Sequence, residues 1–194
     1  MARLLVSKGV HVYAQAALHL LRRGADARFL LAGFADGGPG AIAAHELERW
    51  RAAGLEYLGS LEDVCTALAQ ASVFVLPSSR EGTPRSSLEA LAMGRAVITT
   101  DVPGCRQTVD HGVTGLLVPP DDPPALAHAM GVLIEDAGVR SAMGKRGLEL
   151  CRERFDVRLV NRDMLRHLGL ARAAAGARPR ADRTGTGDFG LRRD

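Results

Sequence analysis

The stretch Ser72-Val73-Phe74-Val75-Leu76-Pro77-Ser78-Ser79-Arg80-Glu81-Gly82-Thr83-Pro84-Arg85-Ser86-Ser87-Leu88-Glu89-Ala90-Leu91-Ala92-Met93 decides the fold. Its first residues, Ser72 to Leu76, are a short apolar run of β-favouring side chains ended by Pro77-Ser78-Ser79, and they read as a buried strand. Thr83 reads as a helix N-cap with Pro84 in the first helical position, where its fixed φ suits the helix and its missing N–H is no loss. The amides of Arg85, Ser86 and Ser87 then face the carboxyl end of the strand, backed by the positive end of the helix dipole. That arrangement attracts an anion. Glu81 and Glu89 flank these donors. Carboxylates are poor phosphate ligands and good acceptors for sugar hydroxyls, so amides set between two acids suit a nucleoside diphosphate sugar. The competing reading has Glu81 solvated and Glu89 paired with Arg85 four residues earlier on the same helix face.

Glu81 to Glu89, with Ala90-Leu91-Ala92-Met93-Gly94-Arg95-Ala96-Val97-Ile98-Thr99-Thr100-Asp101-Val102-Pro103-Gly104 following, closely resembles the E-x7-E motif of the retaining glycosyltransferases of family 4, built on the GT-B fold. The resemblance implies that Glu81 meets the donor sugar and Glu89 the nucleotide ribose. The donor-binding set is then Glu89 with Gly82, Thr83, Pro84, Arg85, Ser86, Ser87 and Leu88, and amides between the two acids hold the diphosphate. Ser87 departs from the pattern, being more often apolar in the family. Nearer the start, Arg3-Leu4-Leu5-Val6-Ser7-Lys8-Gly9 matches an R-L-x-x-x-K-G element that opens the family's donor domain. Arg3 and Lys8 thereby join Glu81 in the implied catalytic set, two cations facing a group of about two negative charges.

Length and composition set bounds. With 194 residues and 46% hydrophobic content the chain can bury one sizeable core. No apolar run approaches a membrane span and the start lacks the apolar region of a signal peptide, so the expectation is a cytoplasmic protein, peripheral at the inner face of the membrane if its acceptor is lipid-linked. Cys65, Cys105 and Cys151 are odd in number and widely separated, which indicates reduced thiols and neither a disulfide framework nor a zinc site. The net charge of +3 arises beyond residue 170, where six Arg face three Asp. Balance elsewhere argues against a nucleic-acid partner.

Around the central stretch the chain alternates strand and helix. Val10 to Arg23 carries Val10, Tyr13, Ala14, Ala17, Leu18 and Leu21 at helical spacing. Strands follow at Arg28 to Gly33, Leu55 to Leu58, Ala96 to Thr100 and Leu116 to Val118. Further helices are expected over Ile42 to Ala53, Val64 to Gln70, Leu126 to Ile134, Ser141 to Phe155 and Val157 to Leu168, the last two wrapping the domain edge. Phe34 to Gly40 is glycine-rich yet matches neither G-x-G-x-x-G nor G-x-x-x-x-G-K-[ST], and reads as a surface loop or a lip over the donor site. A turn over Asp101 to Arg106 follows the strand at Ala96, and His111, in a second turn over Asp110 to Gly115, reads as a surface residue.

Short, nearly all-apolar strands predict an α/β fold: a Rossmann-like doubly wound parallel sheet with helices on both faces, one half of a GT-B fold, its ligand at the carboxyl ends of the strands. Residues 1–170 are expected to form the nucleotide-sugar (donor) domain, entered at the end of its first strand, and residues 171–194 a disordered tail. The resemblance implies a hexosyltransferase moving a hexose or N-acetylhexosamine from a nucleoside diphosphate sugar, such as a UDP-sugar, to a glycan or lipid-linked acceptor, as in bacterial surface-polysaccharide synthesis. It also implies an N-terminal acceptor-binding domain as partner, and neither cofactor nor metal. The alternative is an inactive nucleotide-sugar-binding fragment lacking the acceptor domain. A GT-B epimerase fits the residues after Glu89 less well, and a nicotinamide oxidoreductase lacks its glycine fingerprint.

Overall fold

The computed structural model of the chain describes residues 2–34 and 37–170. The expected disordered tail, residues 171–194, lies outside them, as do Ala35 and Asp36 of the glycine-rich loop. Two compact units meet at Asp156 and Val157, and the first holds the whole α/β domain.

The centre of that domain is the strand predicted from Ala96 to Thr100. Here it is β6, following β1 (Ala2–Arg3), β2 (Leu30–Leu31), β3 (Gly33–Phe34), β4 (Glu56–Tyr57) and β5 (Val73–Leu76) in chain order, with β7 (Gly115–Val118) after it. All five residues of β6 are buried, as a strand covered on both faces requires. Strand β5 lies parallel to it on one side, with Phe74 opposite Val97, and β7 on the other, with Leu116 opposite Ile98. The remaining strands form two short parallel ladders. β1 pairs with β3, Ala2 opposite Gly33, and β2 pairs with β4, Leu30 opposite Glu56. The run Arg28 to Gly33, expected as one strand, is thus split at Ala32, with partners on opposite sides. The parallel sheet of the sequence reading stands, in the form of separate half-sheets.

Helices cover both faces because adjacent residues of each strand point opposite ways. Ile98 faces the cluster built by α1 (Val10–Arg22), α2 (Ala44–Ala52) and α6 (Pro123–Glu135), where Ala14, Ala17, Trp50, Leu126 and Met130 pack. Val97 faces the other cluster, with Leu68 of α3 (Val64–Gln70) and Leu91 of α4 (Arg85–Ala92). This is the doubly wound arrangement expected.

Of the boundaries that differ from the sequence reading, three outside the central turn have a local reason. The expected turn after β6 contains a short helix, α5 (Pro103–Arg106), opened by proline at its start. Helix α6 begins at Pro123, ahead of Leu126, because the Asp122 carboxylate accepts from the Ala125 amide at 2.9 Å and caps it. Helix α7 (Ala137–Arg154) is capped by Asp136 in the same way, and it does not wrap the edge. It buries Met143, Gly144, Gly147, Leu150 and Cys151. A Cβ on Gly144 would stand 2.1 Å from the Gly94 carbonyl oxygen, so glycine alone permits that contact. Cys105 and Cys151 are buried and free, as read from the sequence, whereas Cys65 is exposed. Burial raises the pKa of the Cys151 thiol, which donates to the Leu88 carbonyl at 3.3 Å.

The second unit contributes α8 (Val157–His167), which exposes Val157, Val160 and Met164. Among the described residues no helix is long and apolar enough to cross a membrane.

Candidate functional site

The loops leaving the carboxyl ends of β1 and β5 touch, and a glycine permits it. Gly9 has φ 68°, and a Cβ there would lie 1.9 Å from the Pro77 carbonyl oxygen. Beside this contact the Ser79 amide donates to the Ser7 carbonyl at 3.1 Å. A 3-10 turn over Val6–Lys8 then carries Lys8 onto Glu81, and Lys8 Nζ donates to Glu81 Oε1 at 2.7 Å. The two side chains are 22% and 13% exposed, so this is a sheltered pair with one open side.

Ser78 Oγ donates to the same carboxylate oxygen at 2.8 Å. Ser78 is wholly buried, and its carbonyl accepts from Thr100 Oγ1, while Thr99 Oγ1 donates to the Leu76 carbonyl at 2.8 Å. The floor under Glu81 is therefore tied to the central strand β6. From the opposite side α5 presses on the turn itself. A Cβ on Gly104 would lie 1.6 Å from the Gly82 oxygen and 2.3 Å from that of Glu81.

Helix α4 starts one residue later than the sequence reading placed it. Its N-cap is Pro84, with ψ 108°, and Thr83 caps nothing because no side chain bonds the first turn. The Pro84 carbonyl accepts from the amides of Ser87 at 3.1 Å and Leu88 at 3.3 Å. Of the three amides expected to face a ligand, that of Ser87 is thus used within the helix. Those of Arg85 and Ser86 have no carbonyl of their own helix to bond. The Ser87 hydroxyl is buried with no hydrogen-bond partner. This is the position where the resembled motif carries an apolar residue, and an unmatched buried hydroxyl costs about 1–3 kcal/mol.

Glu89 lies one turn into α4, half-buried, and no ion pair joins it to Arg85 or to any other described cation. The competing reading of Glu89 as one half of a surface salt bridge is not realised. Arg3 ends β1 opposite Phe34, and with Lys8 it reaches an apolar cavity of about 430 Å³ between β2 and β5. The structure therefore joins Lys8 to Glu81 directly, sets Arg3 at the neighbouring strand end, and holds Glu89 on the adjacent helix.

Sequence reasoning gave no supporting role to Ser78, Ser7, Gly9, Thr100 or Gly104, although Gly9 and Gly104 lie in the stretches that carry the family resemblance. Ser78 precedes Glu81 by three residues, a spacing at which a hydroxyl can reach back onto a turn. The other four carry no signal by themselves, because their partners are remote in the chain. The glycine-rich loop braces the site, in that the Val6 amide donates to the Gly40 carbonyl at 2.8 Å and the Ile42 amide to that of Leu4 at 3.0 Å. His111 is an exposed turn residue whose Nδ1 accepts from the Leu117 amide at 2.9 Å. Among the described residues no group of three or more His, Cys, Asp or Glu could hold a metal ion.

Residues 1–136 match the family described as glycosyl transferases group 1. The N,N'-diacetylbacillosaminyl-diphospho-undecaprenol alpha-1,3-N-acetylgalactosaminyltransferase of Campylobacter jejuni is 32% identical over 148 residues, 76% of this chain and 38% of that protein. The crystal structure of Anabaena HepE in complex with UDP superposes with a TM-score of 0.78 at 23% identity, over 87% of this chain and 48% of that one. The C-terminal domain of a group 1 family glycosyl transferase (LpcC) from Francisella tularensis gives 0.71 at 21% identity, over 81% of this chain and 84% of its own. The chain spans about two fifths of the length of the Campylobacter relative.

Proposed function

This chain belongs to the group 1 glycosyl transferases of GT-B fold, and on that premise we propose that it is the donor-binding half of a retaining hexosyltransferase. The donor is a nucleoside diphosphate sugar carrying a hexose or N-acetylhexosamine. The acceptor is a glycan or lipid-linked saccharide. Two similarities support these classes: HepE was crystallised with UDP, and the Campylobacter relative is named for a diphospho-undecaprenol-linked acceptor.

One observation carries the reading. The Lys8–Glu81 pair, steadied by Ser78, sits where strand ends meet the start of α4, beside a Glu89 that no described cation neutralises. Lys8 has three N–H donors and gives one to Glu81, which leaves donors for phosphate oxygens. The amides of Arg85 and Ser86 add the helix end. Glu81 then accepts from a sugar hydroxyl and Glu89 from the ribose. As the bond from the anomeric carbon to the diphosphate breaks, charge grows on the leaving diphosphate; the acceptor oxygen bonds to that carbon and its hydroxyl proton passes to a leaving phosphate oxygen. Lys8, Arg3 and the helix amides offset the growing charge, an electrostatic role that requires neither protein nucleophile nor metal. An acceptor must also be held within attack distance, with water kept out. The proposal gives that task to a second domain facing these strand ends.

Titration calorimetry separates the roles. Glu89→Gln weakens binding of UDP and of UDP-sugar alike, because ribose is common to both, whereas Glu81→Gln weakens only the sugar-bearing donor. Lys8→Ala costs about 1–3 kcal/mol for the diphosphate and less for UMP. The reverse pattern for the two acids would sink the assignment.

A further inference from the structure

The turn that carries Lys8 is held from outside itself. None of its residues Val6–Lys8 is buried, and Val6 is 53% exposed. It ends at Gly9, which is also the N-cap of α1 and has no side chain to offer. Two bonds within it, from the Lys8 amide to the Leu5 carbonyl at 3.0 Å and from the Gly9 amide to the Val6 carbonyl at 2.8 Å, set its shape but not its place. On the β5 side that place is fixed by Ser79, whose amide and hydroxyl both donate to the Ser7 carbonyl. On the other side Gly40 to Ile42 runs antiparallel along Leu4 to Val6, with Ala41 bridging Leu5.

One carboxylate ties this second side together. Helix α2 has Ala43 as its N-cap, a residue that cannot cap by its side chain. Glu46, in the first turn, reaches back instead, and its Oε2 accepts from the Ala43 amide at 3.3 Å, directly after Ile42. Its Oε1 lies 3.0 Å from Nε2 of His11, in the first turn of α1 and three residues after Lys8. Glu46 is held below the usual carboxylate range, first by the His11 hydrogen bond and then, against desolvation, by the Ala43 amide. It is therefore the ionised acceptor, and His11 Nε2 carries the proton. That N–H donates in the neutral and in the charged imidazole alike, so the bond does not depend on the charge of His11. Trp50, one turn further along α2 and 4% exposed, meets the His11 ring edge-on, with ring centres 5.3 Å apart and planes at 89°. Leu47 and Trp50 root α2 in the core, so His11 is anchored at its nitrogen and at its ring by a fixed element.

We propose that His11 and Glu46 are positioning residues, which hold the Lys8 turn where its ammonium group meets Glu81 and the donor diphosphate. The inference rests on the donor-site reading above and adds two residues that touch no ligand. Hydrogen bonds weaken steeply once donor and acceptor part by more than about 3.2 Å, so a small drift of an unburied turn is enough to take Lys8 from its partners.

The test reads amide exchange and calorimetric binding of UDP and UMP on the full chain and its variants. His11→Phe keeps a ring against Trp50 and removes the donor, Glu46→Ala removes the acceptor, and His11→Gln keeps a terminal N–H. The first two are expected to speed exchange at the Val6 and Ile42 amides about tenfold while leaving Ile98 in β6 unchanged. Each also weakens UDP binding about fivefold, and UMP binding less. His11→Gln stays near the parent chain in both measurements. In a Lys8→Ala background His11→Phe changes UDP affinity no further, because the residue it positions is gone. Three results would overturn the inference: unchanged exchange at Val6 and Ile42, equal weakening of UDP binding with and without Lys8, or full UDP affinity in His11→Phe while Lys8→Ala loses it. Lys8→Ala without effect on UDP binding would strike the donor-site reading itself, a failure told apart because it arises with His11 and Glu46 intact.

Discussion

At Glu81 a single carboxylate oxygen accepts from Lys8 at 2.7 Å and from Ser78 at 2.8 Å, so the direction in which this acid presents its other oxygen is set by two donors on different loops. Ser78 reaches no ligand in the proposed chemistry, and its effect passes through Glu81. Hydrogen bonds to charged groups contribute about 1.5–3 kcal/mol. Ser78→Ala is therefore expected to weaken UDP-sugar binding by about tenfold or more while leaving UDP affinity nearly unchanged. Calorimetry with both ligands checks this, and an equal loss for the two would show general damage to the loop instead. Legibility differed residue by residue at this site. Glu81 and Glu89 stood out in the sequence through charge and spacing, and Lys8 through the R-L-x-x-x-K-G element of the resembled family. Ser78 did not, because a serine after a strand is ordinary until its hydroxyl is seen against a carboxylate.

Among the elements, helix α7 was the one whose role the sequence misjudged. Its glycines, which the sequence reading did not single out, form its contact surface. The Gly144 Cα lies against the Gly94 backbone, and a Cβ on Gly147 would stand 2.6 Å from Leu91 Cδ2. Gly144→Ala drives a methyl group into a carbonyl that cannot yield, so a loss of about 1–3 kcal/mol is expected from urea unfolding. Gly131, within α6, gives the opposite result. A Cβ there meets nothing nearer than Leu20 Cδ2 at 3.8 Å, and alanine is the better helix former. Gly131→Ala should stabilise by about 0.5–1 kcal/mol. If both substitutions changed stability in the same direction, close packing would not be what distinguishes these glycines.

For the whole molecule, acid sensitivity follows from carboxylates held below their usual range. The Arg28 hydrogen bond lowers Glu56, the Arg106 hydrogen bond lowers Asp101, and the Thr66 hydroxyl followed by the Cys65 amide lowers Asp63. A depressed folded-state pKa contributes stability above the unfolded value, about 4, that is lost as pH falls through the folded one. These groups are exposed, so each effect is small and screened by salt. Melting temperature should accordingly change little from these groups between pH 7 and pH 5 and fall below about pH 4. The deficit of Arg28→Ala relative to the parent chain should shrink over that acid range, and a deficit independent of pH would refute this account. The sequence by itself determined the parallel α/β class, the strand-to-helix turn and the identity of its acids, because those depend on local periodicity, turn chemistry and charge spacing within some twenty residues. Only the tertiary structure decided that Lys8 meets Glu81 across 73 positions of chain, and that Gly9 and Gly104 allow the loops to close. Those outcomes depend on which backbones approach each other in space, and no local pattern of side chains encodes that approach.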